Sequence, residues 1–277
     1  REITIIPRDI SRVKTLQRSD DAPVKRVELH AHTNMSAMDG LCNTGKLVQQ
    51  AAKWGHPAIA ITDHGVIQAF PDAHRAGNKH GVKIIYGVEG YLTENPEAKG
   101  RSFHIVILAK NKVGLKNLYR LISYSHLDHF YRTPRIPRAL LEEYREGLIL
   151  GSACEAGEVY QAVLTQNPDV VKIAAFYDYL EIQPLENNAF LLGTTYVQSK
   201  DDLMRINKQI LMIGESLNRP VVATGDVHFL RPEDGFIRTI LLAGRGMEDV
   251  ERPTPVFYRT TEEMLSEFSY LDRQKAL

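Results

Sequence analysis

At 277 residues the chain has room for one α/β barrel or for two smaller domains. Lysine plus arginine equals aspartate plus glutamate at 34 each, which excludes the strongly basic footprint of an autonomous nucleic-acid binder. Two cysteines, Cys42 and Cys154, exclude a disulfide framework, and no apolar run approaches a membrane span, so a soluble, cytoplasmic protein with no membrane partner is expected.

Residues 1–24 have mixed charge, contain Pro7 and Pro23, and begin with neither an initiator Met nor a signal-peptide core. They read as a connector from an upstream domain of a longer protein. Seven short β-branched and apolar segments then recur: Val27-Glu28-Leu29, Ala58-Ile59-Ala60-Ile61, Ile84-Ile85-Tyr86-Gly87, Ile105-Val106-Ile107-Leu108, Leu148-Ile149-Leu150, Tyr179-Leu180-Glu181-Ile182 and Val221-Val222-Ala223-Thr224. Helical periodicity separates most of them. The first helix is predicted over 44–54, with Thr44 as its cap and Gly55 closing it; the second runs over 67–80, followed by Gly81. Further helices are predicted over 114–129, 137–144, 155–164, 169–177 and 202–218.

Alternation of this kind predicts parallel βα units, closing into an irregular seven-stranded (β/α)7 barrel over 25–231. Residues 93–101 leave no room for a crossover helix, so the third and fourth strands should form an antiparallel hairpin. Residues 232–277 read as a C-terminal extension. No glycine-rich phosphate loop stands out, and Gly244-Arg245-Gly246 reads as a turn.

Residues just past the carboxyl ends of parallel strands converge on one mouth. Here the first strand is followed by His30, His32 and then Asp39, the second by Asp63 and His64, the third by Glu89. His104 opens the reversed fourth strand, Cys154 follows the fifth, and Asp226 and His228 follow the seventh, while the sixth offers no obvious ligand. Alternation in an extended chain aims both imidazoles of His30-Ala31-His32 to one side. The donor set His30, His32, Asp39, His64, Glu89, His104, Cys154, Asp226 and His228 is too large for one ion and suits about three divalent ions: zinc, manganese or iron, alone or mixed. His56, His74, His80, His126 and His129 fall on predicted helices or their ends, where a solvated or helix-end role is the default; Cys42 reads as a small buried hydrophobe.

The segments 27–40 (VELHAHTNMSAMDG), 58–65 (AIAITDHG), 87–91 (GVEGY), 130–137 (FYRTPRIP) and 223–228 (ATGDVH) together resemble the PHP (polymerase and histidinol phosphatase) domain of bacterial replicative DNA polymerases. Lys53-Trp54-Gly55-His56 and Glu267-Phe268-Ser269-Tyr270-Leu271 resemble the PolC branch, in which a proofreading exonuclease is inserted within the domain; only residues 93–101 stand at that place here. The resemblance implies one ion held by His30, His32, Glu89 and Asp226, a second by Glu89, His104 and Cys154, and a third by Asp39, His64 and His228.

It further implies hydrolysis of phosphoesters, with Asp226, Glu89 and His64 as catalytic residues and a primer 3′ end of DNA as the substrate of a 3′–5′ exonuclease. The leaving alkoxide would be stabilised by a metal or protonated by a nearby group, with Asp63 or a free imidazole as the candidates. Arg132, Arg135 and Arg138 would hold backbone phosphates, unless they form a solvated loop against another domain. Partners would be the remaining polymerase domains of the same chain and replisome subunits, with residues 257–264 leading toward the polymerase palm. Two other readings stand beside this one: a non-catalytic, metal-stabilised scaffold within the polymerase, and a small-molecule phosphatase of the histidinol-phosphate kind.

Overall fold

The computed structural model describes residues 18–95, 100–244, 246 and 254–271. Residues 1–17 of the expected connector, 96–99 of the hairpin turn, Arg245 of the expected turn, and 247–253 and 272–277 of the extension lie outside the described residues.

The first expected strand is not a ladder strand. Around Val27-Glu28-Leu29 the chain is extended, but side chains take part of its backbone bonding: Glu28 Oε1 accepts from His30 N (3.0 Å) and Thr62 Oγ1 from Ala31 N (2.9 Å). What remains are single bridges, Glu28 to Ile59 and Ala31 to Val227.

Helix α1 (Thr44–Trp54) is capped by Asn43 rather than Thr44; Asn43 accepts from Lys46 N, while Thr44 is already helical and buried. Gly55, at φ 74, closes it as expected. Strand β1 (Ala58–Ile61) is buried throughout, and α2 (Phe70–His80) starts three residues later than the periodicity predicts, with Pro71 in its first turn.

Strand β2 (Lys83–Thr93), eleven residues long, is the spine of the molecule. Its first half pairs in parallel with β1, and from Gly87 to Leu92 it pairs antiparallel with β3 (Phe103–Ala109), which is the expected hairpin. Helix α3 (Lys112–Leu127) leads to two strands that the periodicity does not predict, β4 (Phe130–Tyr131) and β5 (Thr133–Pro137). The periodicity starts a helix at Pro137, yet Pro137 ends β5, which pairs in parallel with Tyr91, Leu92 and Thr93.

Helix α4 (Arg138–Glu143) precedes β6 (Leu148–Gly151), which lies antiparallel to β3. Short helices α5 (Glu158–Leu164) and α6 (Val170–Ala174) follow, then β7 (Leu180–Ile182), α7 (Lys200–Leu217) and β8 (Val221–Ala223). The described tail adds α8 (Gly235–Gly244) and α9 (Thr261–Glu267).

The sheet pattern corrects the expected closed (β/α)7 barrel. The strands form a six-stranded sheet, in which β4, β5, β2, β3 and β6 follow one another and β1 pairs with β2, and a separate parallel pair of β7 and β8. Between these sheets the chain makes single bridges, such as Gly151 to Tyr179, instead of continuous ladders. The architecture is mixed α/β with a shared core, in which Leu47, Ile59, Ile61, Ile107, Leu118 and Leu150 are fully buried. Among the described residues no helix is long and apolar enough to cross a membrane.

Candidate metal centre

Nine side chains expected at strand ends meet in one cluster, with Glu89 at its middle. The Glu89 carboxylate lies 3.3 Å from His30 Nε2, 3.4 Å from His32 Nε2, 2.7 Å from His64 Nδ1 and 2.8 Å from His104 Nδ1. Asp226 Oδ1 closes the first group at 3.5 Å from His30 Nε2 and 3.2 Å from His32 Nε2. Cys154 Sγ stands 3.4 Å from Glu89 Oε1 and 3.3 Å from His104 Nδ1. Asp39 lies 3.5 Å from His64 Nε2 and 3.6 Å from His228 Nε2. His64 therefore touches two groups: its Nδ1 faces Glu89 and its Nε2 faces Asp39.

Three of the rings are fixed from behind. His30 Nδ1 donates to Glu181 Oε2 (3.0 Å), which also accepts from Thr224 Oγ1 (2.8 Å). Ser36 Oγ gives its proton to Asp63 Oδ1 (2.7 Å) and so accepts from His32 Nδ1 (3.1 Å). His228 Nδ1 donates to the backbone oxygen of Asp226 (2.8 Å). Each bond places the ring proton on Nδ1 and turns the lone pair of Nε2 toward the cluster.

Those lone pairs meet no donor. His30 Nε2, His32 Nε2, His228 Nε2, His64 Nδ1, Glu89 Oε2 and Asp226 Oδ1 are all buried without a hydrogen-bond partner. Native structures rarely leave such atoms unpaired, because each costs about 1–3 kcal/mol. Six together at one place fit divalent cations, although the His64 Nδ1–Glu89 Oε2 pair, 2.7 Å apart, also suits a protonated ring: against the effect of burial, Glu89 and Asp39 raise the His64 pKa to about 10.

The electrostatics agree. Burial disfavours charge on His30, but the carboxylates of Asp226, Glu89 and Glu181 outweigh it and raise its pKa well above the ordinary range; the surroundings of this ring favour a cation. His32 is equally buried, and burial together with the neighbouring His64 pushes its pKa well down. The Cys154 thiol is pushed up by burial and by the nearby carboxylates of Glu155 and Glu89, so a thiolate there calls for an adjacent cation. The backbone contributes strain: Ala153 and Asp226 both adopt left-handed conformations, at φ 60 and φ 50, where their strands end.

Other expectations come out differently. Asp63 is turned into the fold, accepting from Thr33 N (2.6 Å), Thr33 Oγ1 (2.8 Å) and Ser36 Oγ, so it braces the loop behind His32 and is not placed to donate a proton to a leaving group. Arg138 is committed to Glu158 and Glu94 and stacks on Phe176. Arg135 is buried, with its guanidinium over Tyr131, and Arg132 is exposed. His56 is not solvated: it is buried between Asp20 Oδ2 (2.8 Å) and the Tyr258 hydroxyl (2.7 Å). Cys42 is buried, as expected.

Three functional side chains escape sequence reasoning. Glu181, in the strand thought to bring nothing, orients His30; its one signal is a carboxylate between two core positions. Ser36 carries no signal at all. Arg238 of α8 donates to Asp39 Oδ1 from both Nε (2.8 Å) and Nη2 (2.5 Å), and only its place in the apolar run of α8 marks it.

A family model described as the PHP domain matches residues 28–185. The DNA polymerase III PolC-type of Clostridium perfringens (strain 13 / Type A) is 30% identical over 475 residues, covering 99% of this chain and 33% of that protein. The DNA polymerase III PolC-type of Bacillus subtilis (strain 168) is 29% identical, covering 100% of this chain and 34% of its own length. The chain thus spans about a third of these curated relatives. Both alignments are far longer than the chain itself, so they run across a long stretch of the relatives with no counterpart here. A solved amidohydrolase from Chromobacterium violaceum, with bound sulfate and no metal, aligns at 14% identity with a TM-score of 0.44, over 73% of this chain and 87% of that one.

Proposed function

Because the chain belongs to the PHP domain family and is similar along its whole length to PolC-type polymerases, we propose that it is the PHP domain of such a polymerase, working as a metal-dependent phosphoesterase with 3′–5′ exonuclease activity on DNA. One observation carries this reading: the six orphaned buried atoms converging beside Glu89. His30, His32, Glu89 and Asp226 would hold a first ion, Glu89, His104 and Cys154 a second, and Asp39, His64 and His228 a third. When bound, divalent ions supply Lewis-acid neutralisation of a phosphoester's oxygens, and zinc, manganese and iron all suit this mixture of nitrogen, oxygen and sulfur donors.

The chain's own residues prepare that chemistry. Glu181, Ser36 and the Asp226 carbonyl hold ring protons away from the centre, and the walls around His30 and His32, both fully buried, exclude water. Substrate would enter on the side of His64 and His104, whose side chains keep 18% and 22% of their exposure. Asp226, Glu89 and His64, lying at the meeting of these two sides, are the residues on which turnover would depend. The complete burial of His30 and His32 also favours a second reading, a metal-stabilised scaffold without turnover.

The described tail is tied to the beginning of the described chain. Arg18 pairs with Glu263, and Asp20 accepts from Thr261 N (2.6 Å). Residues 1–24 and 232–277 would connect the domain to the rest of a polymerase chain, whose other domains and replisome subunits are the proposed partners.

The deciding experiment purifies the chain without chelator, counts metals by elemental analysis, and follows manganese-dependent nucleotide release from single-stranded and mismatched-primer DNA beside Asp226→Asn. About three metals per chain with Asp226-dependent release is the expected result. Metals without release would leave the scaffold; no metals would end both.

A further inference from the structure

Two of the three arginines expected to grip phosphate are poorly placed for it, and another arginine stands at the cluster. Arg138 is spent on Glu158, Glu94 and Phe176, and Arg135 is buried over Tyr131. Arg238 reaches the cluster itself from α8. Its Nε and Nη2 both point at one oxygen of Asp39, leaving Nη1 without a bond among the described residues. The other Asp39 oxygen faces His64 Nε2 at 3.5 Å, on the side of the cluster that keeps solvent contact.

Resting on the phosphoesterase reading, we propose that Arg238 is the substrate-binding residue of the third subsite and takes the phosphate group of the nucleic-acid substrate. A guanidinium stays charged at every working pH and presents a planar fork that matches two phosphate oxygens. Two donors crowded onto a single carboxylate oxygen use that fork poorly. Asp39 parks the arginine at the mouth, and an arriving phosphate offers it the two-oxygen partner that Asp39 does not. Lysine in its place keeps the charge and loses the fork.

The test uses the full 277-residue chain loaded with manganese, comparing wild type, Arg238→Met and Arg238→Lys. Metal content is measured by elemental analysis, binding of inorganic phosphate by calorimetry, and nucleotide release from an oligothymidylate as a function of its concentration. Arg238→Met is expected to keep the wild-type metal count while phosphate affinity falls roughly tenfold to a hundredfold, with Arg238→Lys between the two. KM for the oligothymidylate should rise more than kcat falls, and a change confined to inorganic phosphate would remove DNA as the source of the bound group and overturn the proposal. Unchanged phosphate affinity with metals retained would overturn it as well. So would loss of metal from Arg238→Met, which would make the arginine a support for Asp39. In a chain that releases no nucleotides, calorimetric affinity for the oligothymidylate takes the place of KM: a fall in Arg238→Met that matches the fall for inorganic phosphate would sustain the assignment and remove the exonuclease reading alone, and an unchanged affinity would overturn it.

Discussion

At the residue scale, the side chains behind the donors decide whether the donors work. Glu181 aligns His30 without facing the cluster, so Glu181→Gln should fold normally and bind manganese about 10–100-fold more weakly in a metal titration. The gathering of nine side chains in one cluster was legible because imidazoles and carboxylates recurred at strand ends, a position that apolar periodicity locates. Their neighbours were not: Ser36 and Arg238 look like any loop serine or helix arginine, and only tertiary packing brings them to His32 and Asp39. His56 was misread for the same reason. Its partners, Asp20 and Tyr258, are remote in sequence on either side, and no local pattern joins the three.

That trio also sets a pH response away from the donors. Although burial opposes it, the bonds from His56, Thr261 and Lys25 hold the Asp20 carboxyl below its ordinary range, so its stabilisation is complete above the unfolded pKa and is lost as pH falls toward the folded one. His56 is held below its ordinary range by burial, so it too costs stability on acidification, from about pH 6.5 downward. In urea titrations Asp20→Asn should be less stable than wild type at pH 7, by about 1–3 kcal/mol, and the gap should narrow as pH is lowered toward 3.

At the scale of elements, close backbone approaches fix where α3 and β6 can lie. A Cβ on Gly114, in the first turn of α3, would stand 1.8 Å from the carbonyl oxygen of Gly147. Helix propensity alone would make Gly114→Ala stabilising by about 1 kcal/mol. The contact reverses the sign, and a loss of about 1–3 kcal/mol in chemical denaturation is expected. Strands β1, β3, β6, β7 and β8 were legible as short apolar runs. Strands β4 and β5 were hidden, because Pro137 reads as the start of a helix and because β5 gains its place by pairing with the far end of β2, which no local window reveals. The segment near Val27-Glu28-Leu29 was overread: its apolar alternation is real, but Glu28 and Thr62 satisfy backbone groups that a ladder would have bonded.

At the scale of the molecule, six buried unpaired atoms are a standing cost that bound cations would relieve. Ions that bind the folded state stabilise it by mass action, about 2.7 kcal/mol for each at a hundredfold excess over its dissociation constant. Stripping the chain with a chelator should therefore lower its melting temperature by several degrees in scanning fluorimetry, and readdition of manganese should restore it. A melting temperature indifferent to chelator would contradict the cluster as a cation site.

The donors are also spread along the chain in a way that gives their assembly a direction in time. Glu89, His104 and Cys154 lie within 66 consecutive residues, on the hairpin of β2 and β3 and just past β6, whereas the groups around His30 and Asp39 stay open until Asp226 and His228 arrive. A chain leaving the ribosome thus presents its sulfur-containing group first, and the two groups that draw on its earliest histidines must wait for its latest. Were the cluster to take its ions as the chain is made, the order of translation would be an order of loading, with the sulfur-containing set complete before the other two.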